Sequence, residues 1–179
     1  MTKIAIAHDW LTNMGGAEKV IINFKQIYKD APVYTISYNQ DNLDDELKNI
    51  DVRTSFPKGN VKHQMYLPFM PTAWEQFDFN EYDVVLSSSS SCAKGLITSP
   101  DTVHICYCHS PMRYAWEFYN EYMEREGGGK LKRTLIKYIM NYIRIWDKAS
   151  ASRPDYYIAN SKNVAKRIYK HYGIEADVI

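Results

Sequence analysis

The chain has little of what would mark several common protein classes. Of its 179 residues only three are cysteines, too few and too odd in number for a disulfide framework, so a reducing, cytoplasmic setting is expected. Neither charge sign dominates: the formal net charge is +1, which gives no global attraction to nucleic acid or to an acidic partner. No apolar run reaches the ~18 residues that would span a bilayer. Met1-Thr2-Lys3 leads straight into a strand pattern, without the features of a secretory leader. A Gly-x-Gly-x-x-Gly fingerprint and a Gly-x-Ser-x-Gly nucleophile elbow are both missing, which speaks against a dinucleotide loop and a serine nucleophile. Gly127-Gly128-Gly129-Lys130 imitates a phosphate loop, but Leu131 stands where Ser or Thr is required and the run falls between two helical patterns, so it reads as a hinge.

What is present is aromatic residues and a regular alternation of strand and helix signals. The 15 tyrosines and four tryptophans supply core bulk as well as amphipathic surface for sugars or membrane interfaces. Strands are expected at about Lys3–His8, Pro32–Ser37, Val52–Ser55, Asp83–Ser87, Thr102–Cys108 and Asp155–Ala159, with another starting at Ala176. Helices are expected over Gly16–Lys29, with Val20, Ile21, Phe24, Ile27 and Tyr28 as its apolar face, over Asp41–Lys48, around Pro71–Phe77, over Met112–Arg125 and Lys130–Ser150, and from a cap at Asn160 or Ser161 to Tyr172, where Gly173 ends it. This alternation predicts one α/β domain over residues 1–179, with a mostly parallel sheet of roughly six or seven strands covered by helices on both faces. The chain stops on a bare half-strand, so it is expected to be the N-terminal piece of something longer.

Two places carry chemistry, and both lie where a strand runs out, which is where open α/β sheets receive ligands. The first is His8-Asp9-Trp10-Leu11 followed by Gly15-Gly16-Ala17-Glu18-Lys19-Val20, a strand, a glycine loop and a helix start. Backbone amides and the positive helix end there suit a diphosphate, and Gly15 and Gly16 allow close approach, although a plain tight turn needs the same glycines. The second is Cys108-His109-Ser110-Pro111-Met112-Arg113-Tyr114-Ala115-Trp116. His109 is the candidate catalytic residue, against the alternative of a histidine bonded to nearby backbone. Asp9 at the first strand end, and Ser110, Arg113 and Tyr114 at the second, are the candidates for acceptor or sugar contact. No metal is expected: there is no Asp-x-Asp triplet, and Cys106, Cys108 and His109 lack a second cluster to complete a shell, so the cysteines read as core. On the long helix Lys130, Lys132, Arg133, Lys137, Arg144 and Lys148 face only Asp147, beside an apolar stripe of Leu131, Leu135, Tyr138, Ile139, Tyr142 and Trp146. That pattern fits a helix packed on the sheet or one lying near an anionic membrane surface; Lys58, Lys62, His63, Met65 and Tyr66 form a second such segment. No nucleic-acid reading motif accompanies the basic residues.

The ordered set of Gly15-Gly16-Ala17-Glu18-Lys19-Val20, Cys108 to Trp116, Ile158-Ala159-Asn160-Ser161 with Val164-Ala165, and Tyr172-Gly173 resembles the N-terminal domain of a retaining GT-B glycosyltransferase of family GT4, in its mannosyltransferase-like branch. The resemblance implies a Rossmann-like half of a two-domain enzyme of surface polysaccharide synthesis, with the C-terminal nucleotide-sugar domain absent from this chain. It implies that Gly15 and Gly16 approach the donor diphosphate, that His109 approaches the donor sugar, and that transfer to a glycan or lipid-linked acceptor is metal-independent, with no cofactor beyond the nucleotide-sugar substrate. A cytoplasmic protein, peripheral at the inner membrane face, follows from the same likeness. The alternative is a freestanding nucleotide- or carbohydrate-binding module without catalysis.

Overall fold

The computed structural model describes residues 2–55, 67–125 and 129–179. Seven strands form one sheet: β1 Ile4–His8, β2 Val33–Thr35, β3 Val52–Thr54, β4 Val84–Ser89, β5 Val103–Cys108, β6 Tyr156–Ala159 and β7 Asp177–Val178. Their order is β3-β2-β1-β4-β5-β6-β7 and every pairing is parallel. The chain runs outward from β1 to β3, then returns to add β4 on the other side of β1. The carboxyl ends of β1 and β4 therefore flank the point where the strand order reverses, the crevice in which doubly wound sheets take ligands.

The helices are α1 Gly16–Ile27, α2 Asp45–Lys48, α3 Met70–Glu75, α4 Tyr119–Arg125, α5 Lys130–Ser150 and α6 Lys162–Tyr172. Alternation along β1 assigns them to faces. Ala5 and Ala7 enter a core with Trp74 of α3 and with Met140 and Ile143 of α5, whereas Ile4 and Ile6 enter one with Ile21, Phe24 and Tyr28 of α1. Cys106, Cys108, Tyr157 and Ala159 pack against Val164, Ile168 and Tyr172 of α6. Since Cys106 is in register with Ser87, and Ser87 with Ala7, α6 shares the face of α3 and α5.

The two faces are covered unequally. Ile4, Val84, Ile105 and Ile158, expected as fully buried core, are half-buried, because among the described residues α1 is the main cover of their face. Ile27, expected on the apolar face of α1, is 69% exposed, while Phe24 and Tyr28 on either side of it pack on the core. The α5 stripe also divides. Ile139 and Trp146 pack on the core with Ile136, Met140 and Ile143, but Leu131, Leu135, Tyr138 and Tyr142 point outward, since the buried seam is rotated toward Asp147 and Ser150.

Other differences have local causes. The helix expected over Asp41–Lys48 is a 3-10 turn, Gln40–Asn42, and then α2; Leu43 between them is extended and buried, which breaks the helical path. Only Tyr119–Arg125 of the expected Met112–Arg125 helix is helical. Ahead of it the Trp116 amide reaches the Met112 carbonyl but that of Phe118 reaches Arg113, while the Tyr114 hydroxyl and the Trp116 indole are held by Ser91 and Asp147. Strand β4 runs on to Ser89, because a strand between two neighbours keeps its ladder whatever its side chains. Helix α6 follows expectation: the Val164 amide donates to Ser161 Oγ at 3.2 Å, and Gly173, at φ +73°, takes the left-handed conformation that glycine adopts at least cost. Gly127, Gly128 and the segment of Lys58, Lys62, His63, Met65 and Tyr66 lie outside the described residues.

A fully buried ion pair joins these elements. Lys94 Nζ, on the loop after β4, donates to Asp147 Oδ1 of α5 at 2.5 Å, with the side chains 1% and 0% exposed. Asp147 Oδ2 accepts from Trp116 Nε1 at 2.7 Å and from the Tyr172 hydroxyl at 2.9 Å. Burial alone would strip Lys94 of its proton, but the charge and hydrogen bond of Asp147 outweigh it and hold the ammonium above its ordinary range. Close packing follows, and a Cβ on Gly95 would overlap the Trp146 ring. Breaking one side of such a pair strands a buried charge. Lys94→Met and Asp147→Asn should each lower unfolding free energy by about 3–5 kcal/mol in urea titrations. The double variant, which leaves no buried charge and keeps an acceptor for Trp116, should recover more than half of that loss.

Candidate functional site at the carboxyl edge of the sheet

The ends of β1, β4 and β5 meet where the strand order reverses. Asp9 directly follows β1 and is 1% exposed. Its Oδ2 accepts from the Ser90 amide at 2.6 Å, the Ser91 amide at 2.8 Å and the Ser90 hydroxyl at 3.1 Å. Its Oδ1 accepts from the Ala93 amide at 2.7 Å and the Ser89 hydroxyl at 3.4 Å. The carboxylate thus holds the loop after β4, as an anion holds a ring of amides. Ser91 Oγ then lies 2.6 Å from the Tyr114 hydroxyl, and Tyr114 rests 3.5 Å from Met112 Sδ. Burial keeps the Tyr114 phenol well above its usual titration range, so it stays protonated. Asp9 and Tyr114 are therefore linked through one loop.

The histidine side of the site is built by a second chain of contacts. The His109 amide donates to the Ser89 carbonyl at 2.8 Å, and His109 Nε2 is 2.7 Å from Ser88 Oγ. Ser88 Oγ is also 3.2 Å from His8 Nδ1, which lies 3.1 Å from the Ser88 carbonyl. His8 Nε2 faces Glu18 Oε1 at 3.5 Å. Burial is the main force lowering the pKa of His109, and the neighbouring His8 adds to it against the opposing pull of Asp9 and Glu18, so the imidazole is neutral near pH 7. For Glu18, burial pushes upward, but the His8 contact and its own backbone amide prevail and hold it below the usual carboxylate range.

Gly15 and Gly16 open α1 above this cluster and are exposed. Gly15 is the helix cap, extended at φ −158°, and no side chain caps the helix. A Cβ on Gly15 would come within 2.9 Å of Glu18 Oε2, whereas one on Gly16 would meet nothing within 4 Å. Ser110 is 7% exposed, and its hydroxyl has no hydrogen-bond partner among the described residues, a cost of about 1–3 kcal/mol for a buried polar group. Arg113 is exposed, with its guanidinium 4.4 Å above the Phe118 ring. His109, Ser110 and the two glycines thus share one rim, while Asp9 lies beneath it.

The serine run is used position by position. Ser87 Oγ is 2.8 Å from His104 Nε2, and burial, aided by the charge of Lys94, pushes the His104 pKa down to about 3. Ser88 to Ser91 serve the two networks above. Sequence reasoning assigned no role to His8, Glu18 or Ser88. For His8 the signal was available: it ends a strand as His109 does. Cys106 and Cys108 are buried between β5 and α6, and no group of three or more His, Cys, Asp or Glu side chains is placed to hold a metal ion among the described residues.

A seven-stranded parallel sheet with a crevice at its order reversal is one half of the architecture of GT-B glycosyltransferases. The profile of Glycosyltransferase Family 4 matches residues 14–179; the chain belongs to that family. Among solved structures it is similar to the lipopolysaccharide outer core galactosyltransferase WaaB in its apo form, at 15% identity and a TM-score of 0.50, over 99% of this chain and 44% of that one. At that identity the likeness is one of fold, and the chain spans less than half the length of that enzyme. No curated protein matches the sequence. The family resemblance and the fold class expected from the sequence are both met.

The Asp9 network can be tested directly. Asp9→Ala leaves the Ser90, Ser91 and Ala93 amides without their acceptor. The expected result is a loss of about 3 kcal/mol in unfolding free energy, since each bond to a charged group contributes about 1.5–3 kcal/mol and such effects overlap. Faster hydrogen exchange should be confined first to the loop after β4.

Proposed function

We propose that this chain is the acceptor-side half of a retaining glycosyltransferase that moves a sugar from a nucleotide-sugar donor to a glycan or lipid-linked acceptor. The observation that supports this most is the chain of contacts through Ser88, His8 and Glu18 that sets a neutral His109 near the open start of α1. In this reading the free amides around Gly15 and Gly16 meet the donor diphosphate. His109 stands near the reacting carbon, hydrogen-bonding the donor sugar. Ser110, Arg113 and Tyr114 border the acceptor, and Asp9 acts through the loop it holds. A C-terminal domain grips the nucleotide. Transfer proceeds without a metal, a reading that rests on the missing Asp-x-Asp triplet.

Two variants test the roles in an intact enzyme containing this chain. His109→Ala should lower turnover by roughly 10²-fold, the contribution of one positioned polar group. Gly16→Val should raise the donor KM and lower turnover without a fold defect, because its side chain meets open space in the chain itself. Activity should survive EDTA. Wild-type turnover in folded His109→Ala would remove the catalytic assignment.

We further propose a cytoplasmic location with peripheral contact at an anionic membrane. No helix of the described residues is long and apolar enough to cross a bilayer. On α5, however, Leu131 is 86%, Leu135 59%, Tyr138 72% and Ile145 63% exposed, a row at helical spacing. The helix carries Lys130, Lys132, Arg133, Lys137, Arg144 and Lys148, and its only acid, Asp147, is buried. Each cation near an anionic surface contributes about 1 kcal/mol. Neutralising Lys132, Arg133 and Lys137 should weaken co-sedimentation with phosphatidylglycerol vesicles at least tenfold, and high salt should act alike. Protein that stays in the supernatant at low salt would refute the contact.

A further inference from the structure

The contacts beneath His109 have a direction. His8 Nδ1 lies 3.1 Å from the Ser88 carbonyl, and a carbonyl can only accept, so Nδ1 carries a proton. The same N–H faces Ser88 Oγ at 3.2 Å. With His8 donating on that side, the Ser88 hydroxyl hydrogen is free to point toward His109 Nε2, 2.7 Å away. Nε2 then accepts, and the single proton of the neutral His109 ring resides on Nδ1. Among the described residues the side-chain hydrogen bond of His109 runs through Nε2. At the far end, Glu18, the third residue of α1, places Oε1 3.5 Å from His8 Nε2, and it holds the His8 ring in place when Nε2 carries a proton as well.

We propose that Glu18, His8 and Ser88 are positioning residues that fix His109 as the Nδ1–H tautomer, presenting an N–H donor to a substrate oxygen. This rests on the role given to His109 above. The logic is that of a histidine whose second nitrogen is oriented by a partner behind it, where losing the partner yields the wrong tautomer without moving the ring. The arrangement supplies a donor, not a base, on the open side of the ring. It therefore suits stabilisation of a sugar hydroxyl or of charge on a departing oxygen, and not abstraction of a proton from the acceptor. The elements packed around His109 bring His8, Asp9 and Glu18 as the charged groups near it, and Tyr107, whose ring centroid lies 5.1 Å away.

Nitrogen-15 NMR of histidine-labelled protein reads the tautomer directly, and the buried His104 resonance reports whether the sheet is intact in each variant. His109 should appear as Nδ1–H in the unaltered protein. Ser88→Ala should move it toward the Nε2–H form that a free imidazole favours. His8→Phe, which keeps a ring and removes the donor, should do the same if Ser88→Ala fails to fold. In the intact transferase both variants should lower kcat about tenfold, the scale of a lost orienting partner, with the donor KM changed less than twofold. An Nε2–H His109 in the unaltered protein, or one that stays Nδ1–H in folded Ser88→Ala, overturns the proposal. A tautomer that responds as expected while His109→Ala keeps full activity would instead leave the relay standing and remove only the catalytic reading.

Discussion

The pair of Lys94 and Asp147 fixes more of this molecule than any other contact. Lys94 stands on the loop that leaves β4, and Asp147 near the carboxyl end of α5. With both side chains buried, removing either partner strands an uncompensated charge. The remaining Asp147 oxygen takes Trp116 from the segment after β5 and Tyr172 from the end of α6. Four separated stretches of chain are thereby tied to one carboxylate. A hydrophobic substitute could match the stability, but it could not demand that these four stretches meet at one point, since apolar contact has no direction.

The crevice at the carboxyl edge of the sheet depends on that anchorage. The loop of Ser89 to Gly95 is pinned at one end by Lys94 and at the other by Asp9, which gathers three of its amides. Ser91 in the middle of the loop holds Tyr114, and the Trp116 indole two residues on returns to Asp147. The segment bearing His109 and Ser110 is thus fastened before and after, and its residues are held too irregularly for a helix. A rigid frame around a half-open rim is what a transfer site needs, because groups aimed at a substrate act only if they need not reorganise.

In the proposed function, this rim would share its substrate with a second surface. The open start of α1 and the half-buried His109 lie at the same edge of the sheet, with the unpartnered Ser110 hydroxyl buried beside them. The exposed row on α5 stands on the helix that the buried ion pair holds in place.

Most of the fold could be read from the residues. The apolar runs around Ile4, Val84, Ile105 and Ile158, the cap at Ser161 and the stop at Gly173 are local signals, and strand alternation with helices leaves a parallel sheet as the simple solution. The two strand ends at His8 and His109 could also be located, since a strand's end is a local property. Which histidine nitrogen carries a proton, that Asp9 would be turned inward, and that Lys94 would find Asp147 were not readable, because each depends on groups 21 to 84 positions apart. The same holds for the segment of Met112 to Phe118, whose helical propensity yielded to long-range partners, and for α5, whose apolar residues exceed what the core can cover. Periodicity fixes which residues share a face. Only packing decides which face is buried, and only a closed set of donors and acceptors decides what a polar side chain in the interior does.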